Sequence, residues 1–232
     1  MIIIRFFRSL VFWVFLAFSI IFLGGFLPLF SFPFKNKKDL YQSSASFFSR
    51  LLLILSGIKT KVNGSENLKL IDPDKGLILA ANHASFIDSY LLLAKLPFPF
   101  RFTVYQAGFR LPFLRNIYRG AGYIGVGPMG IRSVRHLATL LEAIKGKEKI
   151  LIYSKVSKEE DKVEFSRGLI QLSNQFGIPI LPVAIRGAAR VLPMQRFLLG
   201  SGNITLSLGK PSFFTSPEEL KEITLKLHAS FS

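Results

Sequence analysis

LILAANHASFIDSY, at residues 77–90, passes from an apolar run through a polar turn into a second, partly apolar run. The first run has the length and composition of a buried strand, and Asn82 and His83 follow it directly. Asp88 stands five residues after His83, at the predicted start of a helix over 89–95. Because five residues of a continuous helix rotate about 140° around its axis, the two side chains meet only if a turn separates strand from helix. The stretch therefore predicts a strand–turn–helix unit that brings His83 and Asp88 together.

A histidine beside a carboxylate is typical of general-base catalysis. Asp88 would accept a hydrogen bond from the imidazole, fix its tautomer and stabilise the imidazolium that forms when His83 removes a proton. No serine or cysteine nucleophile is required if the substrate supplies its own hydroxyl. The alternative is a structural histidine next to a carboxylate that only begins a helix.

Apolar runs of strand length recur along the chain, with helical patterns between several of them. The predicted strands are 76–81, 102–105, 123–126, 150–153, 180–185 and 204–208. Residues 131–144 carry apolar side chains at a 3.6-residue period, and Pro217 fits the first turn of a last helix. Strands that alternate with helices predict an α/β fold, with a mainly parallel sheet flanked by helices.

The N-terminal segment predicts a membrane anchor. Residues 9–34 contain no charged side chain, and this run exceeds the ~20 residues that cross a bilayer core. Gly24, Gly25 and Pro28 predict that its helix breaks in the last third. The segment therefore either spans the membrane or turns back within one leaflet, and the basic residues on its two sides do not fix its orientation.

A second helix is predicted over 39–58, either interfacial or packed on the core. We accordingly expect a membrane-embedded helical segment over 1–60 and an α/β domain over 61–232. The expected location is the membrane, with the catalytic domain at its cytoplasmic face.

The composition of the chain favours some classes of function over others. Lys and Arg number 30 against 14 Asp and Glu, which gives a formal net charge of +16, while half of the residues are hydrophobic. This combination favours attraction to anionic lipid headgroups over nucleic-acid binding, for which no reading motif is present. The chain has no cysteine and only three separated histidines, so we expect no metal site.

The motif Asn82-His83-x4-Asp88 resembles the first motif of the glycerolipid acyltransferase family, N-H-x4-D. Residues 62–68 (VNGSENL) resemble the family's V-x-G-x-E-N-L stretch, and residues 181–185 (LPVAI) resemble its last block, V-P-V-A-I. The resemblance covers essentially the whole chain in the expected order.

This resemblance implies a membrane-bound O-acyltransferase that moves a fatty acyl group from a thioester to a lysophospholipid or related hydroxyl. His83 would be the general base and Asp88 its orienting partner. The donor would be acyl-CoA or acyl-carrier protein, which act as co-substrates, and no cofactor is implied. The expected partners are membrane lipids and the thioester donor. The rival interpretation is a catalytically weak or silent lipid-binding member of the same fold.

Two blocks depart from the family pattern. The second block ends in Asp-Arg, where this chain has Gly127-Pro128. The third block, F-P-E-G-T-R-S, aligns with residues 153–159 (YSKVSKE), so that Lys155 replaces its glutamate and Val156 its glycine. Because these blocks hold the acceptor and its phosphate in the family, we expect a rebuilt acceptor site and an acceptor preference different from 1-acylglycerol 3-phosphate.

Lys158 aligns with the arginine of the third block and is the candidate substrate-binding residue. Lys155 and Arg186 are further candidates for the same anion site.

Residues 125–130 (GVGPMG) match the G-x-G-x-x-G dinucleotide pattern, but the acidic residue that should end the following strand is absent. We interpret the glycines as a tight turn, with a phosphate contact to the acyl donor as the alternative.

Overall fold

The structure is a computed structural model that describes residues 2–127 and 134–229. Its strands are β1 (Lys59–Asn63), β2 (Leu77–Ala81), β3 (Arg101–Tyr105), β4 (Ile124–Val126), β5 (Lys149–Tyr153), β6 (Ile180–Arg186) and β7 (Asn203–Leu208). In the described part of the chain they form one sheet in the order β1-β7-β6-β2-β5-β3-β4. All neighbouring pairs are parallel except the antiparallel pair β6–β7, so the predicted mainly parallel sheet is confirmed.

Helices flank this sheet on both faces. They are α1 (Ile2–Ile21), α2 (Leu27–Phe30), α3 (Lys37–Leu55), α4 (Ile87–Lys95), α5 (Leu114–Gly120), α6 (Val134–Lys145), α7 (Arg167–Phe176), α8 (Ala188–Val191) and α9 (Pro217–Ala229). A π-helical segment, Phe22–Phe26, joins α1 to α2, and 3₁₀ turns cover Ser65–Leu70 and Gln106–Arg110. The beginning of the helix predicted over 131–144, Pro128 and the last residues of the glycine motif lie outside the described residues.

The pleat of β2 divides the core into two clusters. Leu77, Leu79 and Ala81 pack with residues of α1, α3 and α4 on one face of the sheet. Ile78 and Ala80 pack with residues of α6, α7 and α9 on the other face. All five residues are buried, because a central parallel strand has helices on both sides. The stretch that carries His83 and Asp88 therefore begins at a fully buried strand.

The N-terminal helix does not break where Gly24, Gly25 and Pro28 predicted it would. The chain stays helical to Phe30, and only the hydrogen-bonding pattern changes within the π-helical segment. A side chain at Gly24 would overlap the main chain of Phe113, and the Asn116 side-chain amide donates to the Gly24 carbonyl oxygen at 2.8 Å. The glycine thus permits close packing of the π-helical segment against α5 rather than a bend.

The helix α1 lies against the α/β domain. The Arg5 guanidinium donates to the Leu199 carbonyl at 3.0 Å, and the Leu199 amide donates to the Ser9 hydroxyl at 2.8 Å. The Trp13 indole N–H donates to the Phe197 carbonyl at 2.7 Å. By length and composition, the stretch Ile2–Phe30 is apolar enough to cross a membrane, and a third of its most apolar part is buried.

The anchor and the domain share one hydrophobic core. Phe12, Leu16 and Leu52 of the two long N-terminal helices belong to the same buried cluster as the strands. The boundary between 1–60 and 61–232 therefore stays a prediction of the sequence.

Candidate active site

His83 and Asp88 meet as the strand–turn–helix unit predicts. His83 follows β2, Asp88 lies in the first turn of α4, and their Nδ1 and Oδ2 atoms are 2.9 Å apart. The Asp88 carboxylate is buried, whereas a fifth of the His83 side chain is exposed. Because Asp88 holds Nδ1, the second ring nitrogen, Nε2, is left to face a substrate.

The turn between His83 and the helix closes around one carboxylate oxygen. Asp88 Oδ2 also accepts hydrogen bonds from the amides of Ala84 and Ser85, each at 2.9 Å. Three donors on one oxygen fix the carboxylate in a single orientation. The other oxygen, Oδ1, is buried and has no hydrogen-bond partner among the described residues.

Asn82 ties the end of β2 to the end of β6. Its amide donates to the Ile185 carbonyl at 2.8 Å and its carbonyl accepts from the Ile185 amide at 2.7 Å. The same amide group donates to the Glu160 carbonyl at 3.1 Å. Asparagine is suited to this position, because one side chain supplies both a donor and an acceptor. The bond pair fixes the main chain immediately before His83.

An aromatic ring covers the imidazole. Tyr153, the last residue of β5, stacks on His83 with 4.1 Å between ring centroids and 15° between ring planes. Its hydroxyl lies 3.0 Å from the Ser89 hydroxyl. Burial raises the pKa of the Tyr153 hydroxyl, and the Asp88 carboxylate raises it further, so tyrosine stays protonated at neutral pH.

An apolar cavity of about 260 Å³ opens beside His83. Its walls come both from the N-terminal helices and from the α/β domain. Besides His83, the residues that line it include Trp13, Phe48, Phe86 and Ser89. A cavity with these walls fits a hydrocarbon chain.

A second cavity, of about 550 Å³, adjoins the turn that follows His83. Ala84 and Ser157 line it, and the Ser157 amide donates to the His83 main-chain carbonyl at 3.1 Å, which places the cavity beside the main chain of His83. Lys158, Arg190 and Arg196 also line it, and none of its lining residues is acidic. We call it the basic cavity.

Of the three cations that the sequence proposes for the anion site, only Lys158 lines the basic cavity. Lys155 pairs with Glu164 at 3.3 Å on the exposed surface. Arg186 donates to the His228 carbonyl at 3.3 Å, next to the last helix. Arg190 and Arg196 were not predicted as site residues, and their only sequence signal is their position shortly after the last family-like block.

Glu160 fixes the loop that carries Lys158. Its carboxylate accepts from the amides of Gly187 and Ala189, at 2.7 and 2.6 Å. His228 Nε2 lies 3.7 Å away, too far for a hydrogen bond but close enough for electrostatic attraction. Burial acts to raise the pKa of Glu160, but the nearby histidine and the two amides outweigh it, and the pKa is lowered.

Residues 59–186 match the family model of the acyltransferases. This chain belongs to the acyltransferase family. The matched region runs from β1 to the end of β6 and contains His83, Asp88 and Lys158. The predicted family is thus confirmed.

Two plant relatives are similar to this acyltransferase over two thirds of its length. A chloroplastic 1-acyl-sn-glycerol-3-phosphate acyltransferase of Brassica napus is 24% identical over 67% of this chain and 45% of its own length. A chloroplastic 1-acyl-sn-glycerol-3-phosphate acyltransferase of Arabidopsis thaliana is 25% identical over 66% of this chain and 43% of its own length. The chain spans less than half the length of these relatives.

The fold is similar to a crystal structure of the 1-acyl-sn-glycerophosphate (LPA) acyltransferase PlsC from Thermotoga maritima. The TM-score is 0.77 at 24% identity, and the match covers 96% of this chain and 92% of the other. This likeness extends over the N-terminal helices as well as the α/β domain, and it concerns the fold.

Proposed function

We propose that this acyltransferase moves a fatty acyl group from an acyl thioester to the hydroxyl of a lysophospholipid at a membrane surface. One observation carries the proposal: His83 lines an apolar cavity and the next residue, Ala84, lines a basic cavity, so the His83–Asp88 pair adjoins both. An apolar site suits the acyl chain, and a basic site suits an anionic head group. The base between them is where the acyl carbon and the acceptor hydroxyl would react.

The chemistry needs only one base. His83 Nε2 takes the proton of the acceptor hydroxyl as its oxygen attacks the thioester carbonyl carbon. The tetrahedral intermediate then collapses, its carbon–sulfur bond breaks, and the leaving thiolate takes the proton from the imidazolium. Asp88 stays ionised and stabilises the imidazolium through Nδ1. The donor carrier is coenzyme A or acyl-carrier protein.

The basic cavity supports an anionic acceptor. Lys158 keeps the positive charge of the third block's arginine, and Arg190 and Arg196 add positive charge that can substitute for the missing arginine of the second block. A hydrogen bond to a charged group contributes about 1.5–3 kcal/mol, so two such contacts can replace the missing ones. The expectation that 1-acylglycerol 3-phosphate is not the preferred acceptor stays a prediction.

The exposed apolar surface supports attachment to a membrane. Ile3, Phe7 and Leu29 are all more than half exposed on the N-terminal helices, and Phe197 is 75% exposed on the loop that binds α1. Large apolar side chains exposed in such number on one pair of helices require a partner, and a lipid bilayer fits them. Because Arg5, Ser9 and Trp13 hydrogen-bond the first half of α1 to the domain, we propose that α1 lies in one leaflet, with the domain at the cytoplasmic face.

The test is acyl transfer by the purified full-length chain in lipid vesicles. Labelled acyl-CoA and acyl-carrier protein are offered with 1-acylglycerol 3-phosphate, other lysophospholipids and long-chain alcohols. We expect transfer to at least one lysophospholipid, abolished by His83→Ala and unchanged in the surface control Lys210→Ala. Lipid binding without any transfer would support the silent lipid-binding alternative and refute the enzyme.

A further inference from the structure

Two hydroxyl groups meet beside His83, and the mechanism above uses neither of them. Ser89 Oγ and Tyr153 Oη lie 3.0 Å apart, although the residues are 64 positions apart in the chain. Ser89 lines the apolar cavity together with His83, and the Tyr153 ring stacks on the imidazole. The pair is therefore within reach of the reacting end of an acyl chain.

One proton of this pair has no protein acceptor. A hydroxyl is one donor, so two hydroxyls that bond to each other use one of their two protons. In the described part of the chain, neither hydroxyl makes a second hydrogen bond. The pair is partly buried, and a donor without an acceptor at the wall of an apolar cavity is unfavourable until a ligand oxygen accepts from it.

The helix α4 explains why the donor is Ser89. Successive residues of a helix point about 100° apart around its axis. Asp88 points toward His83 Nδ1, and its neighbour Ser89 therefore points in another direction, into the apolar cavity. One helical turn thus fixes the distance between the base and the hydroxyl.

We propose that the Ser89 hydroxyl donates a hydrogen bond to the carbonyl oxygen of the acyl thioester, and that Tyr153 orients Ser89 by donating to its oxygen. This inference rests on the proposed acyl transfer. When the acceptor oxygen attacks, the carbonyl electron pair moves onto this oxygen, and the Ser89 O–H stabilises the negative charge. The pair returns as the carbon–sulfur bond breaks. Ser89 transfers no proton.

The hydroxyl of Tyr153 is a feature in which this chain departs from the family pattern. Tyr153 stands where the family's third block has phenylalanine, which stacks equally well but has no hydroxyl. Tyr153 is accordingly a positioning residue, and Ser89 is the catalytic one.

The test is steady-state kinetics of the full-length chain with an acyl thioester and the best lysophospholipid acceptor. We expect Ser89→Ala to lower kcat by about 100-fold, and Tyr153→Phe by about tenfold, with the KM of both substrates nearly unchanged. The double variant should be no slower than Ser89→Ala alone, because Tyr153 acts through Ser89. Ser43→Ala and Tyr105→Phe remove matched exposed hydroxyls and should leave kcat as it is.

Comparing Ser89→Thr with Ser89→Val separates loss of the hydroxyl from a change in packing, because the two variants have nearly the same shape and differ in one hydroxyl. We expect Thr to keep most of the activity and Val to behave like Ala. A wild-type rate in Ser89→Ala, equal rates for Thr and Val, or additive losses in the double variant would overturn the inference while acyl transfer stands. A wild-type chain that transfers nothing would overturn both.

Discussion

Asp88→Asn separates the charge of Asp88 from its hydrogen bonds. Asp88 Oδ2 accepts from the amides of Ala84 and Ser85 and from His83. An asparagine must place its oxygen at this position, since its NH₂ group would face two donors. The His83 tautomer and the turn are therefore preserved, and the negative charge is lost.

The lost charge sets the size of the effect. Two unit charges about 4 Å apart attract by about 4 kcal/mol at an effective dielectric constant of 20. Removing this attraction from the imidazolium lowers kcat by about three orders of magnitude. The asparagine NH₂ group would also occupy the Oδ1 position, where no acceptor is described, and should lower the free energy of unfolding by about 1–3 kcal/mol.

The assay compares kcat of wild type, Asp88→Asn and His83→Ala, with urea unfolding of each variant. We expect a small residual rate in Asp88→Asn and none in His83→Ala, because only the histidine moves the proton. Asp88→Asn with more than about a tenth of the wild-type kcat would refute the role assigned to the charge. Measurable turnover in His83→Ala would refute the general base itself.

Three further perturbations test other parts of the structure. Lys158→Ala should raise the KM of an anionic acceptor at least about tenfold but not that of an uncharged alcohol, while the surface control Lys155→Ala changes neither KM. Glu160→Gln should lower the free energy of unfolding at pH 7 by about 1–3 kcal/mol. Because folding lowers the pKa of Glu160, this difference between wild type and variant should vanish as the pH falls through that pKa, which urea titrations at several pH values would show. Gly24→Ala should lower the thermal unfolding midpoint through overlap with the Phe113 main chain, whereas Gly168→Ala, with open space around its α-carbon, should not.

The six apolar strands could be predicted because a buried parallel strand has a nearly continuous apolar sequence. The strand β1 could not be predicted in this way. Its sequence, KTKVN, is polar, and as the edge strand beside β7 it has no fully buried residue. Its pairing depends on a partner more than 140 residues further along the chain, which no local pattern records.

In the candidate site, too, residues joined by a short local segment could be predicted, and residues from distant segments could not. His83 and Asp88 could be predicted because one short turn joins them. The cations of the basic cavity could not, because Lys158 lies in a loop and Arg190 in the short helix α8, and Glu160 fixes the two segments together. At Gly24 the local pattern predicted a helix break that the structure does not have. A glycine in a helix indicates either a break or a close approach of another segment, and only the position of α5 decides between the two.

The N-terminal helices line the candidate site in addition to forming the proposed membrane anchor. Trp13, Leu16 and Leu23 of the N-terminal helices line the apolar cavity, together with Phe102 and Tyr123 of the α/β domain. An acyl chain in this cavity would therefore contact both parts at once. The hydrogen bonds that hold α1 to the domain are thus also the bonds that keep one wall of the cavity in place. In this arrangement, the position of α1 determines the shape of the acyl-binding cavity beside His83.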